Sequence, residues 1–135
     1  IHPIFIISSI NKVTIDSNNN TYTTDGKAIY ANKGKSFVKY YGTETEVELN
    51  ERITVLGSYS FANSKVTNVE LPESLKTLNG EIFYGSYNIK SLTLGKDVSA
   101  IKSTFIVQSG IENVTIDEEN RNYKIQDEQL MEVYL

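Results

Sequence analysis

Few residues in this chain could carry chemistry, and their spacing excludes more than it offers. There is one histidine, His2, and no cysteine among the 135 residues. A Ser-His-Asp triad, a two-histidine metal site and a thiolate nucleophile therefore lack their parts. His2, beside Pro3, reads as an exposed terminal residue. Carboxylates are plentiful, as in Asp117-Glu118-Glu119, but acids gathered in a polar loop are usually solvated rather than paired for acid and base work. The run Asp16-x-Asn18-x-Asn20 opens like a calcium loop, whose oxygens alternate around the ion. Thr21 then stands where that loop needs Gly, and Lys27 where it needs a bidentate Glu. The run is read instead as a turn whose Asn side chains bond nearby backbone. No catalytic residue, metal or cofactor is expected, and the chain is not expected to be an enzyme.

Two further features have a bland reading beside a functional one. Asn19 and Asn113 open N-x-T sequons, but a glycan at Asn113 would obstruct an expected strand. Tyr22, Tyr30, Tyr40 and Tyr41 cluster in a chain with nine Tyr and no Trp. Tyr suits binding surfaces because it offers area at little side-chain entropy. Strand propensity and packing also account for the cluster, and they are the reading preferred over binding.

Charge narrows the partners. Residues 1–45 carry five Lys against three acids, and residues 46–135 carry eight basic against fourteen acidic residues. Phosphate binding needs a basic surface, so nucleic acid is excluded as a partner. The longest apolar run, Ile4 to Ile7, is far short of the ~20 residues that cross a bilayer, so direct membrane insertion is not expected.

The residues that could bind something must be positioned by a repeat. Val47/Leu49, Val69/Leu71, Leu92/Leu94 and Val114/Ile116 recur at steps of 22, 23 and 22 residues. Six residues after the start of each pair come Ile53, Leu75 and Val98; nine after come Leu56, Leu78 and Ile101. Phe61, Phe83 and Phe105 follow, then Val66, Ile89 and Ile111, three residues before the next pair. Five matched slots in three successive units specify a solenoid. Each unit supplies a short strand, a turn and a tight helical or 3-10 segment that presents Phe to the same interior. One unit cannot bury that face alone, so neighbours must stack.

A second repetition overlays the first. VTIDEENRNYKIQDEQL, from Val114, restates VTIDSNNNTYTTDGKAI, from Val13, with Asp16, Tyr22 and Ile29 opposite Asp117, Tyr123 and Leu130. The first copy continues through two apolar-aromatic runs around Asn32-Lys33-Gly34-Lys35, the pattern of an inserted β-hairpin. Ile1, Phe5 and Ile10 fall in register with Ile101, Phe105 and Ile111, so the chain is expected to open inside a repeat. The organisation read is one repeat domain, 1–135, as a fragment of a longer array. It comprises a partial repeat 1–12, a long unit 13–46, short units 47–68, 69–91 and 92–113, and a truncated long unit 114–135.

The short unit resembles the BspA-like, or Treponema-type, leucine-rich repeat of bacterial surface proteins. Its pattern, L-x-x-I-x-L-P-x-S-(V/L)-x-x-I-G-x-x-A-F-x-x-C, is matched by VTNVELPESLKTLNGEIF at 66–83, including Pro72 and Ser74, and in its second half by ITVLGSYSF at 53–61. The chain departs from the pattern where Ser64, Ser86 and Gln108 or Ser109 replace the cysteine, and where Asn79 and Lys102 replace the glycine. Lys tolerates a left-handed backbone poorly, so a distorted turn is expected in the third unit. The resemblance implies a leucine-rich repeat solenoid with short parallel strands on a concave face, turns and short helical or 3-10 segments on the convex side, and one inserted hairpin unit. It further implies display outside the cell or on its surface, and adhesion or host-protein binding as the usual role.

The sheet of such a solenoid is the default ligand face. With the apolar pairs inward, alternation turns outward Lys12 and Thr14, Glu46 and Glu48, Asn68 and Glu70, Ser91 and Thr93, and Asn113 and Thr115. These ten are the candidate binding residues, for a protein or glycan ligand that includes host extracellular matrix. The alternative reading is a structural spacer whose ligand site lies elsewhere.

Overall fold

The computed structural model describes residues 12–126 and 129–133. The expectations attached to His2 and to Ile1, Phe5 and Ile10 lie outside these residues. The strands are β1 (Tyr22–Thr24), β2 (Ala28–Ala31), β3 (Ser36–Tyr40), β4 (Glu46–Glu48), β5 (Val55–Leu56), β6 (Asn68–Glu70), β7 (Thr77–Leu78), β8 (Ser91–Leu94), β9 (Ala100–Ile101), β10 (Asn113–Ile116), β11 (Tyr123–Gln126) and β12 (Gln129–Glu132). The chain is a mainly-β solenoid of about 4 turns with almost no helix.

Each short repeat contributes to two strand columns. The V-x-L pairs form the first column, β4, β6, β8 and β10. The slot nine residues on, for which no strand was expected, is a two-residue strand in the second column, β5, β7 and β9. These pair in parallel, Leu56 with Leu78 and Leu78 with Ile101. At the near end β5 pairs in parallel with β3, and β3, β2 and β1 continue antiparallel, so six strands form one sheet in the order β1-β2-β3-β5-β7-β9. The Phe that follows sits in a run of turns. Four or five residues between slots are too few to nucleate a stable helix, and the one 3-10 segment among the described residues is Asn32–Gly34, at the tip of the expected hairpin.

Identical slots meet across repeats because neighbouring parallel strands lie about 4.8 Å apart. Phe61 and Phe83 accordingly stack at a centroid distance of 5.3 Å, and Phe37, which pairs with Leu56 across the β3–β5 ladder, extends the stack at 5.0 Å from Phe61. Ile53, Leu75 and Val98 are buried beside them, with Leu56, Leu78, Val66 and Ile89. The serines in the cysteine slot form a polar counterpart to this stack. Ser64 Oγ and Ser86 Oγ are 2.9 Å apart, and Ser86 Oγ donates to the Phe61 carbonyl at 2.6 Å. Ser74, the serine of the matched pattern, donates to the Ile53 carbonyl of the preceding repeat at 2.7 Å.

The expected left-handed residue after each Leu56-type slot is not found. Gly57, Asn79 and Lys102 all lie outside that region, and the left-handed residues are Tyr59 and Glu81, two positions on. Gly57 answers to space instead: a Cβ there would lie 3.0 Å from the Phe37 carbonyl oxygen, which accepts the Gly57 N–H at 2.9 Å. Lys102 thus causes no backbone strain. The third turn differs by length, with one residue fewer between Ile101 and Phe105 than between Leu56 and Phe61, and it has no left-handed counterpart of Tyr59 and Glu81.

Candidate functional site

The outward residues of the first column stand where alternation placed them. Glu46, Glu48, Asn68, Glu70, Ser91, Thr93, Asn113 and Thr115 are all exposed, between inward Val47, Val69, Leu92, Leu94, Val114 and Ile116. Register brings them into rungs: Glu46 beside Asn68, Glu48 beside Glu70, Ser91 beside Asn113, and Thr93 beside Thr115. The two threonine hydroxyls lie 3.0 Å apart. Like charges in adjacent strands repel, and among the described residues neither Glu48 nor Glu70 has an ion-pair partner.

Lys12 and Thr14 are exposed, but the structure does not bring them into this column. Residues 12–15 belong to no strand, and β4 pairs only with β6. The first column is in fact two ladders, β4-β6 and β8-β10. Strands separated by 22 residues are paired, whereas the 23-residue step from Val69 to Leu92 and the 34-residue step from Val13 to Val47 are not. The extra residue of the 23-residue step lies between Phe83 and Ile89, on the way into β8. On that approach Gly85 has φ +78°, and a Cβ on it would lie 2.0 Å from Asn63 Oδ1.

A groove of about 470 Å³ lies over the parting. Asn68, Glu70, Ser91, Thr93 and Thr115, five of the ten candidate residues, line it with Pro72, Glu73, Lys96 and Asp117. Lys96 also borders a depression of about 730 Å³ shared with Asp97 and Glu118 to Asn122. The groove is rich in hydroxyl, amide and carboxylate groups and holds no aromatic ring. It can donate and accept hydrogen bonds along an extended ligand, and it assembles no nucleophile with a base.

The Asn-rich run is a backbone-bonding turn, as read. Asp16 Oδ1 accepts the Asn18 N–H at 2.8 Å, and Asn19 Oδ1 accepts those of Thr21 and Tyr22, also at 2.8 Å. Among the described residues no three His, Cys, Asp or Glu side chains are placed to hold a metal.

The tyrosine cluster resolves toward packing. Tyr40 and Tyr41 are buried, and the Tyr41 hydroxyl lies 2.5 Å from Thr24 Oγ1. The Tyr30 hydroxyl donates to Asp25 Oδ2 at 2.8 Å; burial, then this bond, push the phenol well above its usual range. Tyr22 of the cluster is exposed, as are Tyr84 and Tyr87 in the turns, with Tyr59 edge-on to Tyr84 at 5.9 Å. Sequence reasoning passed over the turn tyrosines; the signal for Tyr59 and Tyr87 was a Tyr directly after Gly-Ser at 57–59 and again at 85–87.

Lys39 was also missed. It is buried in β3, and its ammonium donates to the Ala62 carbonyl at 2.8 Å. In the next repeat the corresponding bond comes from backbone, Asn63 N–H to the Tyr84 carbonyl at 2.7 Å. In the hairpin unit the lysine side chain supplies the donor. Burial lowers its pKa to about 8.

Comparison with known proteins agrees with this architecture. Residues 35–131 match the BspA type leucine rich repeat region, in six copies. No curated protein and no solved structure matches the chain. The BspA type is associated with bacterial surface proteins, and among the described residues no helix is long and apolar enough to cross a membrane. With nearly three quarters of its length matched and the slots of the repeat filled by buried or partly buried apolar residues, the chain belongs to the BspA-type leucine-rich repeat family.

Proposed function

We propose that this repeat domain is a non-catalytic interaction module of a secreted or surface-displayed bacterial protein, and that it holds a host protein or glycan along the first strand column. The observation that carries the reading is the groove over the β6/β8 parting. It collects five outward residues of three repeats on one face, and most of their polar groups have no internal partner. Glu48 and Glu70 extend that face with uncompensated negative charge, which favours a ligand presenting basic groups.

A structural spacer is the second reading. The exposed large apolar residues, Tyr22, Tyr84, Tyr87, Val107 and Ile125, lie away from the groove, and binding hot spots are typically aromatic or Arg. The two readings separate on an array of purified extracellular-matrix proteins and immobilised glycans, probed with the chain and with a Glu48→Lys/Glu70→Lys variant. The interaction module binds a member of the array and the variant loses at least tenfold in affinity. Binding that is indifferent to the substitutions, or no binding to any member, supports the spacer.

A further inference from the structure

The two strand columns differ in charge as well as in continuity. The first turns Glu46, Glu48 and Glu70 outward, whereas cations gather at the entry to the second. Thr54 and Val55 both donate their N–H groups to the Lys35 carbonyl, at 2.8 and 3.2 Å. Lys76 and Thr77 do the same to Thr54 at 2.9 and 3.0 Å, and Ser99 and Ala100 to Lys76 at 2.9 and 3.1 Å. Lys35, Thr54, Lys76 and Ser99 therefore hold one register position in four successive rungs. Two residues earlier, Lys33, Arg52, Ser74 and Asp97 form a second row. Ile53, Leu75 and Val98 lie between the rows and are buried, which anchors both rows on the core.

Arg52 ties this edge to the hairpin tip. Its Nη2 donates to the Lys33 carbonyl at 2.7 Å, and a Cβ on Gly34 would lie 3.6 Å from its Nε. Asn32, Lys33 and Gly34 are all left-handed, with φ of +52°, +57° and +85°. Lys is seldom found there, and strain of this kind persists where the surroundings hold it and gathers at functional sites. Lys33, Lys35, Arg52 and Lys76 are all exposed. Among the described residues none of the four has an ion-pair partner, although Glu51, Glu73 and Asp97 lie on the same edge; the pair that forms is Lys27 with Glu44. Like charges on adjacent rungs repel, and a multivalent anion relieves that repulsion.

We propose that this edge is a second binding site, separate from the first-column groove, and that its ligand is a sulfated polysaccharide. Lys35 and Lys76 stand two rungs, about 10 Å, apart, with the Thr54 position between them and Ser99 one rung beyond. Charge that recurs at such an interval with hydroxyl groups between is the pattern of a sulfated sugar chain. The Arg52 guanidinium keeps further N–H donors for a sulfate after its bond to Lys33. A single-stranded nucleic acid would call for aromatic rings on which bases stack, and neither row contains one.

Immobilised heparin is the probe, and two double variants separate the site from net charge. Lys35→Gln/Lys76→Gln removes two charges from the edge, and Lys90→Gln/Lys102→Gln removes two equally exposed charges elsewhere. At about 150 mM salt, where surface charges beyond about 8 Å are screened, the parent chain binds heparin and the first variant loses at least tenfold in affinity. The second variant stays within about twofold of the parent, because its lysines lie outside the site. Equal losses in the two variants, or no binding by the parent, overturn the proposal. Desulfated heparin, which keeps its carboxylates, binds at least tenfold more weakly; equal binding overturns the sulfate assignment, and polydeoxythymidylate bound as tightly as heparin assigns the edge to phosphate strands instead. An amine-reactive label supplies a measurement free of substitutions. Heparin protects Lys35 and Lys76 and leaves Lys90 and Lys102 reactive, and protection that spares Lys35 and Lys76 overturns the proposal.

Discussion

The two strand columns arise from the same repeat, yet only the second is continuous. β3, β5, β7 and β9 pair without interruption behind the Phe37-Phe61-Phe83 stack, while the first column divides into β4-β6 and β8-β10. Both columns meet a step of 23 residues. The difference lies in where the extra residue enters. It lies after Phe83 and directly before β8, which arrives displaced from β6, whereas β9, nine residues further along, is back in register with β7. A solenoid can thus absorb an insertion on one face while its spine stays zipped, and the face that absorbs it acquires a groove.

If the second column is the spine, truncating its stack should be the most damaging change. Phe61→Ala is expected to cost ~3–5 kcal/mol, the range for buried Phe removed from a core that cannot collapse. The half-buried Val114 of the first column is expected to cost far less as Ala. Urea unfolding of the two variants gives the ranking, and equal costs would break the distinction between spine and face.

A smaller effect probes the hairpin end of the spine, where Lys39 replaces a backbone donor. Its folded pKa of about 8 lies below the ordinary 10.5 of Lys. Between these values the unfolded chain holds more protons, so stability rises with pH across that window as the cost of the buried charge is removed. Tyr30 and Tyr40, whose phenols burial holds above the usual range, act in the opposite direction above about pH 10. Thermal unfolding between pH 7.5 and 10 should show the rise, and Lys39→Met should flatten it. A rise of the same size in the variant would assign it to other groups.

Much of this architecture was legible because strand alternation and a repeating slot are properties of spacing alone. Val47 to Leu49 and Val69 to Leu71 fixed which side chains turn outward, and eight of the ten candidate residues occupy that face. Lys12 and Thr14 do not, because pairing depends on the length of the path between strands, and 34 residues carry β4 away from them. Leu56 and Leu78 were read as buried slots without a strand of their own; two residues of strand and two residues of a turn bury the same slot, and only the partner across the ladder distinguishes them. Asn120 and Lys39 were illegible for a different reason. Each donates to the backbone of another repeat, Asn120 to the Gly95 and Val98 carbonyls and Lys39 to that of Ala62, and a backbone carbonyl has no letter in the sequence.

Amide hydrogen exchange on the full chain tests the parting of the first column most directly. Asn68 and Asn113 donate to the Thr45 and Lys90 carbonyls of their preceding repeats at 3.2 and 3.1 Å, and Thr77 and Ala100 do the same in the second column at 3.0 and 3.1 Å. Ser91, the matching residue of β8, faces the parting. The account predicts that the Ser91 amide exchanges at least tenfold faster than those of Asn68, Thr77, Ala100 and Asn113. A Ser91 amide as protected as these four would mean that β6 and β8 are zipped together in solution, and would remove the groove on which the proposed ligand face depends.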